Sequence, residues 1–207
     1  VFWAGDQAEY FKLYNYTAFA VKAVSPRIRV GGPATMQSQW IADTVKYCKA
    51  NKVPLDFIST HEYPTDVSPL NRDTMLKVIK RVVAEAEGLP VLYTEYNAGL
   101  GDNGGGLNFY QDTEYPASFL FKTIADIQGL VEVFSYWTFS DLFEEGGMLS
   151  EPFHAGFGLM NIYGIRKPAW RAFELLHMAG GMYMIFCEKK TIFFFFNCVD
   201  VRINVPE

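Results

Sequence analysis

The order of the predicted elements indicates an α/β protein with parallel strands. Apolar residues recur at helical spacing in five stretches. Between these stretches lie four short apolar runs, which are typical of buried strands. The two kinds of segment alternate strictly, as α-β-α-β-α-β-α-β-α. Strands that alternate with helices along a chain pair in parallel and are joined by crossover helices.

The helices are predicted from their apolar positions and from boundary signals. The first follows Asp6 and Glu9, which have the spacing of a capping box, and it ends before Pro26. The third is closed before Pro90, and the last begins at Pro168, since proline suits the first position of a helix. The apolar positions that define the five helices are, in order, Phe11, Tyr14, Ala18 and Val21; Ile41, Val45 and Cys48; Met75, Val78, Ile79, Val82 and Val83; Phe119, Leu120, Ile124 and Ile127; and Trp170, Phe173 and Leu176.

The four strands are predicted at residues 28–32, 55–59, 91–93 and 131–137. Two architectures fit this order, an open doubly wound sheet and a (β/α)8 barrel. No GxGxxG motif follows any strand, so the dinucleotide-binding form of the open sheet loses support. A barrel needs eight strands and typically about 250 residues. On this interpretation the chain is the second half of a barrel.

The last part of the chain has a different pattern. Residues 182–205, MYMIFCEKKTIFFFFNCVDVRINV, are strand-like on either side of a charged break, and four consecutive phenylalanines cannot alternate between two faces. This segment is either a small trailing β unit or a tail foreign to the domain. The predicted domains are therefore 1–181, the barrel half, and 182–207, a short β-like or foreign tail.

Composition excludes several classes of protein. The 207 residues carry a net charge of −5 without a basic stripe, which argues against a nucleic-acid partner. No apolar stretch reaches the roughly 20 residues of a membrane span. Three cysteines without a CxxC pair argue against a disulfide scaffold or a zinc site. No leader follows Val1, so either a targeting segment has been removed or the chain is a piece of something longer; compartment and oligomeric state stay open.

Polar and aromatic residues follow every predicted strand. In parallel α/β folds the functional site lies at the carboxyl ends of the strands. The residues at these ends are the Gly-Gly-Pro-Ala-Thr run after the first strand; His61, Glu62 and Tyr63; Glu95, Tyr96 and Asn97; Trp137, Asp141, Glu144 and Glu145; and His154 and Phe157. Paired carboxylates can hydrolyse a glycosidic bond, and aromatic rings can stack on a sugar. From position alone, each of these residues could equally be an ordinary surface or core residue.

Five segments resemble glycoside hydrolase family 39, and within it the β-xylosidase branch. They are AEYFKLYNYTAFAVKAVSPRIRVGGPAT, DFISTHEYPTD, YTEYNAG, FSYWTFSDLFEE and PFHAGFGL followed by GIRKPAWRAFELL. The resemblance runs in order from about residue 1 to residue 184, and the pairing of SYWTFSDLFEE with FHAGFGL is its most specific part. The α-L-iduronidase branch of the family fits these patterns less well.

The resemblance implies strands 5–8 of a (β/α)8 barrel and hydrolysis with retention of configuration. Glu95, in a TEYN-like motif, matches the family's nucleophile. His61 matches a residue that binds sugar hydroxyls, Tyr63 a residue of the same site, and Trp137 the floor of the sugar pocket. The remaining matches are to residues that hold the sugar or cover the pocket: Glu144, Glu145 and His154, with Phe153 beside it.

One catalytic group of the family has no match in this chain. The acid/base glutamate belongs to an Asn-Glu-Pro motif that lies shortly before a stretch like VFWAGDQAEYF, and this chain begins with that stretch. We therefore expect the parent protein to be an exo-acting β-xylosidase, which removes xylose from xylo-oligosaccharides or a xyloside, and the isolated chain to be nearly inactive. Neither catalytic step requires a metal or a cofactor. The alternatives are another retaining glycosidase of the same clan, such as an arabinosidase, iduronidase or endo-glucanase, and a non-catalytic sugar-binding remnant.

Overall fold

The computed structural model describes residues 3–63, 73–99, 109–143, 150–179, 182–187 and 190–195. The chain divides into two compact units. The first comprises residues 1–99 together with 129–136, and the second comprises residues 100–128 together with 137–207.

The first unit contains a four-stranded parallel sheet. Its strands are β1 (Gly31–Thr35), β2 (Phe57–Glu62), β3 (Val91–Tyr96) and β4 (Val133–Tyr136), and they lie side by side in chain order. The described residues of this unit also form the α-helices α1 (Gln7–Val24), α2 (Ile41–Asn51) and α3 (Thr74–Glu85). The predicted alternation of helices and parallel strands is confirmed.

The second unit contains α4 (Tyr115–Asp126) and α5 (Pro168–Ala179), which pack against each other. It also contains an antiparallel pair, β5 (Met182–Cys187) and β6 (Lys190–Phe195), in the segment that the sequence predicts to be β-like. The domain boundary at residue 181 stays a prediction. Among the helices of the described residues, none combines the length and the apolar surface needed to traverse a lipid bilayer.

The start of α1 is fixed by the predicted capping box. The Asp6 carboxylate accepts a hydrogen bond from the Glu9 backbone N–H at 2.8 Å, and the Glu9 carboxylate accepts one from the Asp6 N–H at 3.2 Å. Two otherwise unpaired donors of the first turn are satisfied in this way. Helix α1 then buries Tyr14 and Ala18 in a small core that also contains Val30, Cys48 and Val53.

The predicted start of the third strand at Val91 is confirmed, whereas the other predicted strand bounds are wrong by one to three residues. Strand β1 begins at Gly31 and not at Ile28, because its ladder with β2 starts at the pair Gly31–Phe57. Just before this pair, the Val30 N–H donates to the Asp56 carboxylate and the Asp56 N–H donates to the Val30 carbonyl. Strands β2 and β3 run further than predicted, because the parallel ladder continues through polar residues as far as Glu62 and Tyr96. His61, Glu62, Glu95 and Tyr96, which the sequence places after these two strands, therefore lie within them, whereas Tyr63 and Asn97 directly follow them.

Candidate active site

A bulge in β3 brings His61 and Glu95 opposite each other. Thr60 pairs with Tyr93, but His61 pairs with Glu95, so Thr94 is an extra residue in the ladder. A bulge of this kind shifts the alternation of side chains between the two faces of the sheet by one residue, so the side chains after the bulge change face. Residues that pair across two strands place their side chains on the same face of the sheet. His61 and Glu95 consequently share one face, at the carboxyl ends of β2 and β3.

Tyr63 completes a cluster of three polar side chains. Its phenolic O–H donates to Oε2 of Glu95 at 2.6 Å, and Nδ1 of His61 lies 3.4 Å from the same oxygen. The side chains of His61 and Glu95 are 22% and 25% exposed, so a small molecule can reach them. A carboxylate held by a short hydrogen bond has a defined orientation. The cluster therefore presents an oriented carboxylate at the end of two parallel strands.

Replacing Tyr63 by phenylalanine should impair the function of this carboxylate without changing the packing of the ring. The substitution removes the O–H that donates to Glu95, and a hydrogen bond to a charged group contributes about 2 kcal/mol. In a full-length version of the protein we expect kcat/KM for an aryl glycoside to fall about 30-fold. A Tyr63→Phe variant with unchanged kcat/KM would show that the hydrogen bond has no catalytic role.

His61 is expected to be neutral at pH 7. Burial lowers its pKa from the usual 6.5, and the charge of Glu95 opposes this effect only in part. The unfolded chain thus binds this proton more readily than the folded chain does, so stability falls as the pH decreases through 6.5. An NMR titration, with the signal assigned by a His61→Asn variant, should give a midpoint below 6.5. A midpoint above 6.5 would mean that an ion pair with Glu95 dominates.

The other residues that match the family's sugar site belong to the second unit. The Trp137 ring is half-buried and meets the Phe143 ring edge-on, with centroids 5.2 Å apart. His154 is also half-buried, and its Nδ1–H donates to the Glu151 carbonyl at 2.7 Å. The described residues do not include Glu144 and Glu145.

Two features were not predicted from the sequence. Four non-glycine residues have positive φ between 50° and 60°: Ala34 within β1, and Gln37, Ser38 and Trp40 between β1 and α2. In the second unit, Lys167 is buried between Asp112 and Asp141. No sequence signal reveals either feature, and a lysine in a polar motif is ordinarily a surface residue. Within the described residues, no three His, Cys, Asp or Glu side chains form a group that could hold a metal ion.

Comparisons with known proteins decide the family. The model of glycosyl hydrolases family 39 matches residues 1–193. This chain belongs to glycosyl hydrolase family 39. A β-xylosidase from Caldicellulosiruptor saccharolyticus is 47% identical over 193 residues, and one from Geobacillus stearothermophilus is 36% identical over 201 residues. The matches cover 87% and 86% of this chain but only 39% of each relative.

Solved structures of family 39 agree with this assignment. A monomeric β-xylosidase from Caulobacter crescentus CB15 superposes with a TM-score of 0.77 at 37% identity, and the match covers 83% of this chain and 38% of that one. The family 39 enzyme from Xanthomonas axonopodis pv. citri gives a TM-score of 0.77 at 36% identity, over 84% of this chain and 37% of that one. The parallel strands and their helices are thus part of a (β/α)8 barrel, as the sequence predicts, and the chain spans about two fifths of the length of its relatives.

Proposed function

We propose that this chain contributes the nucleophile of a retaining β-xylosidase. The observation that carries the proposal is the position of the Glu95 carboxylate, which lies at the end of a parallel strand, is bonded by Tyr63 and is reachable from solvent. The chain belongs to a family of glycosyl hydrolases, and the curated relatives cited above are β-xylosidases. The substrate class is a xylo-oligosaccharide or another β-xyloside.

In the proposed reaction, Glu95 attacks the anomeric carbon of the sugar. A bond forms between a carboxylate oxygen of Glu95 and C1, and the bond from C1 to the leaving oxygen breaks while that oxygen takes a proton from a second carboxyl group. The second group then removes a proton from water, which attacks C1; the bond between C1 and Glu95 breaks, which frees the carboxylate and releases xylose with its configuration retained. Nothing in this sequence of steps needs an electron donor or acceptor.

The second carboxyl group is the part that this chain does not supply. Retaining glycosidases hold their two carboxyl groups about 5–5.5 Å apart. The sequence contains no Asn-Glu-Pro motif, in which the family carries its acid/base glutamate. We therefore propose that the isolated chain turns over no unactivated xyloside, and that the glutamate comes from a segment that precedes this chain in the whole protein.

We propose that residues at the carboxyl ends of β2 and β4 recognise the sugar. His61 is neutral at pH 7 and carries a ring N–H that can donate to a hydroxyl of the sugar. Trp137 offers an aromatic face, and Glu144 and Glu145 offer carboxylates that accept hydrogen bonds from sugar hydroxyls. His154 stands in the segment that is proposed to cover the pocket.

A panel of aryl glycosides tests this function. The protein to test is a full-length version, in which an upstream barrel half with an Asn-Glu-Pro motif precedes this chain. It should hydrolyse aryl β-xylosides in preference to α-L-arabinosides, β-glucosides and iduronides. A preference for another sugar would be compatible with the retaining mechanism but would refute the proposed specificity for xylose. Absence of any glycosidase activity in the folded full-length protein would refute the proposal and favour a sugar-binding role.

A further inference from the structure

Lys167 is a fully buried cation that joins three separate segments of the second unit. Its Nζ lies 2.6 Å from a carboxylate oxygen of Asp112, 2.7 Å from one of Asp141, and 2.8 Å from the Gly156 carbonyl, to which it donates. The side chains of Lys167 and Asp141 are 0% exposed, and that of Asp112 is 15% exposed. A buried lysine is rare unless its charge is compensated, and here two carboxylates compensate it.

The same two carboxylates also fix the backbone of the loop formed by residues 153–158. Asp112 accepts a hydrogen bond from the Ala155 N–H at 2.6 Å, and Asp141 accepts one from the Gly158 N–H at 2.7 Å. Ala155 has a φ of +60°, a left-handed conformation that is unfavourable for a residue with a side chain. The loop is therefore held in a shape that its own backbone preferences do not produce.

Glycine at positions 156 and 158 is required by the close approach of this loop to Asp141. A Cβ atom on Gly158 would collide with the backbone of Ser140 and Asp141, and one on Gly156 would collide with the Asp141 carboxylate. Five backbone hydrogen bonds connect residues 157–160 to residues 138–141, among them Thr138 N–H to Phe157 O at 3.2 Å, Leu159 N–H to Thr138 O at 3.0 Å, and Asp141 N–H to Met160 O at 2.9 Å. Residues 137–143 and the 153–158 loop consequently form one rigid block around Lys167.

This block carries two of the residues proposed to contact or cover the sugar. Trp137 begins the 137–143 segment, and His154 lies in the loop. We propose that Lys167 is a positioning residue for sugar binding, which sets the 153–158 loop against the 137–143 segment through Asp112 and Asp141. Lys167 acts through these aspartates and touches no reacting atom. The inference rests on the function proposed above.

A charge-compensated variant separates positioning from stability. Removing Lys167 alone leaves buried carboxylates without their cation, whereas replacing a buried ion pair as a whole is often tolerated. Lys167→Met combined with Asp141→Asn removes one positive and one negative charge and keeps the shapes of both side chains. The matched control is Lys49→Met, which makes the same substitution at an exposed ion pair with Glu87.

The readouts are steady-state kinetics of the full-length protein on an aryl β-xyloside, inhibition by xylose, and amide exchange over residues 151–160. In the folded double variant we expect KM and the inhibition constant of xylose to rise about tenfold or more. We also expect faster exchange over residues 151–160, while the Lys49→Met control keeps native values. A folded double variant with native KM, inhibition constant and exchange would overturn the inference. An inactive native protein would instead refute the proposed function itself, so the two failures are distinguishable.

Discussion

Replacing Glu95 by alanine in a full-length version of the protein should reduce kcat/KM for aryl β-xylosides by about 10⁴-fold or more. The substitution removes the carboxylate that accepts the Tyr63 hydrogen bond and lies 3.4 Å from Nδ1 of His61. Without it no covalent intermediate can form. A Glu87→Ala variant, which removes an exposed carboxylate from the same unit, should keep native activity.

Added azide provides a second, stereochemical readout for the Glu95→Ala variant. The substitution leaves a space on the side of C1 opposite the leaving group, and an azide ion there can displace an activated leaving group in a single step. The expected product is the α-xylosyl azide, with inverted configuration. Formation of the β-azide would show that Glu95 acts as the acid/base and not as the nucleophile, and would contradict the assignment.

Replacing Lys167 alone by methionine should cause a large loss of stability. The variant leaves the Asp141 carboxylate fully buried, and that of Asp112 mostly buried, without their shared cation. Breaking a buried pair by removing one partner typically costs about 3–5 kcal/mol. The free energy of unfolding, measured by denaturant titration of the full-length protein, should fall by this amount.

The exposed Lys49→Met exchange is the control for this measurement. Lys49 and Glu87 are more than half exposed, and an ion pair of this kind contributes at most about 1 kcal/mol. A Lys167→Met variant that loses no more stability than this control would show that water or a shift of the loop solvates the two aspartates.

Much of the fold follows from the sequence because its helices carry strong local signals. The capping box at Asp6 and the proline at 168 gave helix starts that the structure confirms. The strand bounds were less predictable, because the ladder that defines them depends on the neighbouring strand. His61 and Glu95 lie inside strands because each pairs with the other, and neither is recognisable as a strand residue by itself.

The sequence predicts which residues form the candidate site but not how their side chains are arranged. The proximity of His61, Tyr63 and Glu95 follows from parallel strands, yet their alignment depends on the bulge at Thr94, which has no sequence signature.

The burial of Lys167 was not predicted, for a different reason. A lysine in a polar motif is ordinarily a surface residue, and its burial depends on Asp112 and Asp141, which lie far from it in sequence. The pairing of Glu144 and Glu145 with sugar hydroxyls stays a prediction.

The central claim is that the Glu95 carboxylate attacks the anomeric carbon, and covalent trapping tests it most directly. A 2-fluoro-xyloside with a good leaving group forms the glycosyl-enzyme quickly and is released from it slowly, so the full-length protein should accumulate one sugar per active site. Peptide mapping by mass spectrometry should place that sugar on Glu95. Labelling of a different carboxylate, with Glu95 unmodified in a protein that still hydrolyses xylosides, would contradict the account.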